Sequence, residues 1–115
     1  MSDLLLNAPD LMILLAILRL GEEAYGVLLC DEISSLTGKS AALASIYKTL
    51  ERLEAAGLIA SRMGQPSAER GGRAKRFVRV TDQGLRAIDH TRTSLNQLWQ
   101  DVPTFANGAK TRGAR

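Results

Sequence analysis

A chain of 115 residues, 45% of them hydrophobic, is long enough to enclose one modest core and too short for two independent domains. Its formal charge of +3 is compatible with a nucleic-acid partner or an anionic membrane surface and establishes neither. The single cysteine, Cys30, excludes an intramolecular disulfide framework and supplies no metal-ligand cluster.

The first helix is expected to begin around Pro9, whose fixed dihedral and missing donor are tolerated in a first turn, with Asp10 favourably placed near the same end. It should stop near Gly21. Between these points Leu11, Met12, Ile13, Leu14, Leu15, Ile17 and Leu18 surround nearly the whole rod. Such breadth suits a central helix contacted on several sides, or one that also enters a subunit interface. The run LMILLAIL is too short to span a bilayer, and it lacks the basic start and small-residue cleavage region of a secretory signal. The expectation is a cytoplasmic protein with no membrane partner.

The segment YGVLLCDEISSLTG, Tyr25 to Gly38, predicts a second helix with Leu29, Ile33 and Leu36 on its apolar face, Val27 and Cys30 on an adjacent buried edge, and Gly38 as the stop. SAALASIYKTLERLEAAG has the clearest helical period. Leu43, Ile46, Leu50 and Leu53 recur on one side and Ser45, Lys48 and Arg52 on another, with Ser40 or a near neighbour as cap and Gly57 as the end.

The period then changes. Leu58 to Met63 reads as a short strand, GQPSAERGGR as a loop, and Ala74 to Val80 as a second strand, which together make a hairpin. Pro66, Gly64, Gly71 and Gly72 disfavour a continuous ladder through the loop. Thr81 and Asp82 can cap a last helix, whose Ile88, Leu95, Trp99 and Val102 lie close to one face with Leu98 and Phe105 alongside.

The order helix, helix, helix, strand, basic loop, strand, helix predicts a mainly α fold with a small β-hairpin, a winged helix-turn-helix. Residues 1–81 form the expected winged-helix domain, residues 82–106 a C-terminal dimerisation helix and residues 107–115 a flexible tail. The last helix has more apolar length than so small a domain needs. A homodimer is therefore expected, its interface drawn from Leu11, Leu14 and Leu15 of the first helix and Ile88, Leu95, Leu98, Trp99 and Val102 of the last. The competing arrangement is a monomer whose last helix folds back over the core. Trp99 can lock two subunits together or line an effector cavity between them.

Charge is unevenly distributed. Residues 1–36 carry six acids against Arg19, whereas residues 62–79 carry Arg62, Arg70, Arg73, Lys75, Arg76 and Arg79 against Glu69. A basic patch on one part of the body and a merely solvated hairpin tip both fit this distribution.

The strings YGVLLCDEI, SIYKTLERLEAAGLI and RGGRAKRFVRVTDQG, in this order, resemble the PadR-like transcriptional regulators over roughly Ala8 to Arg92, in particular the short form with a single helix after the wing. The resemblance implies a DNA-binding winged helix, dimerisation through terminal helices, and usually repression from a palindromic or near-palindromic operator in double-stranded DNA. It also admits small aromatic or drug-like effectors in some relatives. It implies that a recognition helix corresponds to about Ala42 to Ala56, with Ser40, Ser45, Tyr47, Lys48 and Arg52 facing DNA, and that Arg70, Arg73 and Lys75 of the wing are candidate backbone contacts. The physical roles are compatible with those positions. A helix fits the major groove, Ser45 and the Tyr47 hydroxyl make short directional hydrogen bonds, Lys48 suits a phosphate, and Arg52 offers a planar fork to a base or a phosphate. For Arg52 the competing role is an ion pair with Glu51, Glu54 or an acid elsewhere, and Tyr47 can be partly packed against the helix-turn-helix core.

Other functions fit less well. The chain has no Walker-type loop and no dinucleotide-binding glycine pattern. Cys30 lies in an apolar helical pattern, His90 is the only histidine, and the acids form no paired-carboxylate or metal-binding motif. No enzyme activity and no cofactor are expected. The alternative in a different class is a protein-interaction or signalling adaptor whose winged helix does not bind an operator.

Overall fold

The computed structural model describes residues 5–66 and 74–103. Helix α1, Ala8–Leu20, opens on Asn7, whose side chain accepts the Asp10 N–H at 2.8 Å. Pro9 lies in the first turn, as its chemistry predicts, and the helix passes at Gly21 into a single 3₁₀ turn, Gly21–Glu23. Helix α2 spans Gly26–Thr37 and α3 spans Leu43–Ala55. Ala42, not Ser40, occupies the cap position of α3, and no side chain caps that end.

Helices α1 to α3 enclose a core in which Leu14, Ile17, Leu29, Ile46, Leu50 and Leu53 meet. The apolar breadth of α1 divides between two environments: Ile13, Leu14, Ala16 and Ile17 enter this core, whereas Met12, Leu15 and Leu18 remain exposed. Two expected core positions on α2 also stay outside it, Val27 and Leu36, the latter 58% exposed. The helix is covered on the line of Leu29 alone, with Cys30 and Ile33 half-buried beside it. The Cys30 thiol donates to the Ala41 carbonyl at 2.9 Å and helps close the turn into α3.

The hairpin is longer than its apolar run suggests. Strand β1, Ile59–Pro66, pairs antiparallel with β2, Ala74–Val80, and the ladder continues past Gly64 by shifting register between Met63 and Pro66. Gly64 permits this, because a Cβ there would lie 2.6 Å from the Phe77 ring. Ile59, Val78 and Leu58 close the core from the hairpin side.

Helix α4, Asp82–Trp99, begins at Thr81, whose hydroxyl accepts the Gly84 N–H at 3.1 Å and donates to the Gly57 carbonyl at 2.7 Å. Gly84, Ala87 and Thr91 are its buried positions, with Ile88 half-buried. Past Thr91 the helix leaves the body. Leu95, Leu98 and Trp99 are exposed, and the helix stops before Val102, where Gln100 is extended and Asp101 has φ 64°. Val102 therefore does not continue the helical face. None of the helices, among the described residues, is long and apolar enough to cross a membrane.

The division of α2 is testable by urea unfolding. Leu29→Ala should cost about 2–5 kcal/mol, the usual range for a fully buried leucine. Val27→Ala should stay within about 0.5 kcal/mol, as a surface substitution does.

Candidate nucleic-acid interface

Helix α3 buries Ile46, Leu50 and Leu53 and leaves Leu43, Ala44, Ser45, Tyr47, Lys48, Glu51 and Arg52 exposed. Its period thus turns a polar face outward by turning an apolar face in. Ser40, in the turn before it, is exposed as well. Lys48 forms no ion pair among the described residues.

Tyr47 is both exposed and packed. Its ring lies against the first residue of α2, so closely that a Cβ on Gly26 would fall 2.5 Å from the ring carbon Cε1 and 2.8 Å from the hydroxyl oxygen. Glycine is a poor helix former, and its presence here follows from the space the tyrosine needs.

The residue before it, Tyr25, joins this helix pair to the wing. Tyr25 bridges Phe77 of β2 in antiparallel fashion, and the Val78 N–H donates to the Ala24 carbonyl at 3.0 Å. The rings of Tyr25 and Phe77 meet edge to face, 5.8 Å between centroids. A cation stacks on each: Lys75 Nζ stands 4.7 Å over Tyr25, and the Arg62 guanidinium 4.6 Å over Phe77. Alternation along β2 puts Lys75, Phe77 and Arg79 on one face, and the pairing of Ala60 with Arg79 and Arg62 with Phe77 adds Arg62 to it. This face of the wing base is basic and aromatic.

The opposite face has a different charge balance. Ser61 donates to Glu54 Oε2 at 2.9 Å, and Arg76 pairs with the other carboxylate oxygen. Arg76 is thereby neutralised against α3, and Glu54 fastens α3 to the hairpin.

Arg52 is also engaged. Both of its terminal nitrogens donate to Asp10, each at 2.9 Å, across 42 residues of sequence. The hydrogen bonds and the negative charge of Asp10 raise its pKa above the ordinary arginine value. Among the acids considered for Arg52, Glu51 and Glu54 are not its partners.

Of the expected DNA-facing positions, Ser40, Ser45, Tyr47 and Lys48 are exposed on α3 and the turn before it, Tyr47 lies against the start of α2, and Lys75 is half-buried over Tyr25 at the wing base. Arg70 and Arg73, with Gly71 and Gly72, lie outside the described residues, as do Phe105 and the tail. Tyr25, Gly26, Glu54 and Asp10 were not among the sequence candidates. A tyrosine followed directly by a glycine at the start of a helix is the local signal for the first two, whereas nothing local marks the others. No group of three or more potential metal ligands occurs among the described residues.

The expected dimer surface divides in a similar way. Leu14 has 0% exposure and belongs to the protomer's own core, so it has no surface to offer a partner. Leu11 and Ile88 are half-buried, and Leu15, Leu95, Leu98, Trp99 and Val102 are exposed, Leu98 at 73% and Trp99 at 66%.

Residues 14–90 match the transcriptional regulator PadR-like family. The chain belongs to that family. Among solved structures, this PadR-like chain is similar to a PadR family transcriptional regulator from Eggerthella lenta DSM 2243, at 26% identity and a TM-score of 0.62 over 78% of this chain and 76% of that one. It is also similar to a PadR-like transcriptional regulator from Bacillus cereus strain ATCC 14579, at 25% identity and a TM-score of 0.60 over 82% of this chain and 93% of that one. Bacillus subtilis PadR, solved in complex with operator DNA, shares the fold at 22% identity and a TM-score of 0.63, over 87% of this chain and 53% of that one. No curated protein sequence matches the chain. The matched span covers α2, α3, both strands and most of α1, so the winged helix-turn-helix of this PadR-like protein is the family's own fold.

The contact of Gly26 with Tyr47 can be tested without any ligand. Gly26→Ala should destabilise the PadR-like chain by about 1–3 kcal/mol in urea unfolding through overpacking. Adding Tyr47→Ala should recover most of that loss by removing the ring the new methyl group meets, a coupling that a double-mutant cycle measures directly.

Proposed function

We propose that the chain is a sequence-specific DNA-binding regulator that acts as a homodimeric repressor. The observation that carries this reading is the exposed polar and basic face of α3 and the turn before it, Ser40, Ser45 and Lys48, joined through Tyr47 on Gly26 to the neighbouring Tyr25, over which the half-buried Lys75 stacks at the wing base. A helix presenting short hydroxyl groups can read base edges in the major groove, while a cation on a rigid hairpin takes a phosphate of the flank. Ser45 and Tyr47 discriminate between bases, Lys48 takes a phosphate, and Lys75, with Arg70 and Arg73 of the wing, supplies affinity and orientation. Arg52 is assigned no base or phosphate, because its fork is occupied. The complex of Bacillus subtilis PadR with operator DNA makes an operator the natural partner for this fold, and repression follows where such a site overlaps a promoter.

The second half of the proposal is symmetry. Two apolar surfaces remain uncovered: Met12, Leu15 and Leu18 on α1, and Leu95, Leu98 and Trp99 on the projecting end of α4. Soluble monomers rarely leave such patches open, and a two-fold partner that seats one on the other covers both. Residues 5–81 then act as the DNA-binding unit and α4 as the dimerisation helix. Trp99 at such an interface also suits a small aromatic effector, whose binding would change tryptophan fluorescence. A chromosomal partner puts the protein's work in the cytoplasm.

A selection from random genomic fragments tests the reading. It should enrich duplexes carrying two half-sites about 34–36 Å apart, one turn of DNA, and a folded dimer that enriches none at low salt would sink the reading. On an enriched duplex, Lys75→Ala should weaken binding to related and unrelated sequences alike and flatten the salt dependence by about 0.9 in log–log slope for the phosphate lost. Ser45→Ala should instead change the ranking among duplexes. Truncation after Arg92 should convert the dimer to a monomer in sedimentation.

A further inference from the structure

The pairing of Asp10 with Arg52 does more than satisfy two charges. Asp10 is only 7% exposed, and its place is fixed by the first turn of α1 and by the Asn7 cap on its own N–H. Burial of a carboxylate is costly unless it is fully paired, and here both oxygens accept from Arg52 in the two-point fork that only arginine offers. A fork fixes orientation as well as distance. Arg52 lies in the last turn of α3, one turn beyond Lys48, so the anchor holds the end of the helix opposite to Ser45.

Four residues before Asp10 the chain is held a second time. The Leu6 N–H donates to the Thr91 hydroxyl at 3.0 Å, and Thr91, in the middle of α4, is 2% exposed. Beside these contacts Leu6 packs against the core, and a cleft of about 260 Å³ opens between Leu5, Asn7, Asp10, Arg52 and Leu58, so the two polar contacts are the directional part of the connection there. Leu6–Asp10 therefore ties α4 at one end to α3 at the other.

We propose that Asp10 is a positioning residue for the recognition helix: through Arg52 it sets the angle of α3, and through the Leu6–Thr91 hydrogen bond it makes that angle depend on α4. The proposal rests on the reading of α3 as the groove-entering helix. Lever arithmetic shows why the angle matters. Ser45 lies seven residues from Arg52, about 10 Å at 1.5 Å per residue, so a tilt of roughly 10° about the anchored end moves it by about 2 Å. That displacement breaks a directional hydrogen bond to a base edge, whereas a flexible lysine still reaches a phosphate. The tie thus acts on discrimination between sequences and leaves general affinity for DNA nearly unchanged. Since α4 is also the proposed dimerisation helix, a rearrangement of the dimer would reach the reading face along this segment.

The full chain, bound to an enriched duplex and to a scrambled duplex of equal length across a salt series, tests this. Asp10→Asn, Arg52→Met and the double variant should each lose about tenfold on the enriched duplex and nothing on the scrambled one, with the double no worse than either single, as expected of groups that act as a unit. Arg52→Lys keeps a positive charge beside the buried Asp10, and it should share the loss because an ammonium cannot form the fork. Thr91→Val should show a smaller loss of the same kind. The proposal is overturned if Arg52→Lys discriminates as the wild type does, or if Asp10→Asn lowers the melting temperature and leaves the ratio between duplexes intact. It is equally overturned if Arg52→Met weakens both duplexes alike and flattens the salt slope by about one phosphate contact. A wild-type chain that prefers no duplex overturns the DNA reading beneath it, which is a different result from a wild-type preference that survives in the variants.

Discussion

The attachment of the wing to the helical body depends on Ala24, Tyr25 and Gly26. The Ala24 carbonyl receives the Val78 N–H and so extends the two-stranded hairpin by a third, single-bridge partner. Tyr25 carries an edge-to-face ring contact and a stacked lysine, and Gly26 has no side chain to keep Tyr47 away. A two-stranded hairpin is marginal in isolation, and its direction relative to a helix is set only by what it packs on. Here three consecutive residues lead into α2, receive α3 and hold β2, and they act together with the Glu54 pairs and with Ile59 and Val78 in the core to place helix and wing.

Charge pairing sorts the basic residues further. Arg19 is bonded to Glu32 at 2.6 Å, Arg52 to Asp10 and Arg76 to Glu54, each joining two elements of the fold. Exposed pairs add little stability, and of these three only Asp10 is a buried member, but all three fix which cations lack a carboxylate partner. Among the described residues of α3 and the hairpin, Lys48, Lys75 and Arg79 have no carboxylate partner, and Arg62 is turned onto a ring. The local excess of positive charge in the sequence is thus partly structural, and Arg62, Lys75 and Arg79 share one face of the hairpin.

The same division between internal and external use runs through the apolar residues. On α1, Leu14 and Leu15 are neighbours in sequence and opposites in environment, one wholly inside the core and the other exposed. On α4 the buried positions end at Thr91, and the leucines and tryptophan beyond it project from the body. An amphipathic stripe that outlasts the core it packs on is what the proposed two-fold partner would cover.

By itself the sequence determined the order of elements, the first turn built on Pro9 and Asp10, the cap at Thr81, and the outward face of α3 that carries Ser45 and Lys48. These follow from backbone dihedrals, hydrogen-bonding caps and side-chain period, which are local properties readable in a window of a few residues. Tertiary structure alone decided that Ala42 and not Ser40 takes the cap position of α3, that the ladder runs past Gly64, that Leu36 and Val27 stay outside the core, and that Leu14 lies within it. It also decided that Arg52 faces an acid 42 residues away. The physical reason is common to all of these. Period states which residues share a face, but what covers that face, and which distant group satisfies a charge, is a property of the segments that fold against it.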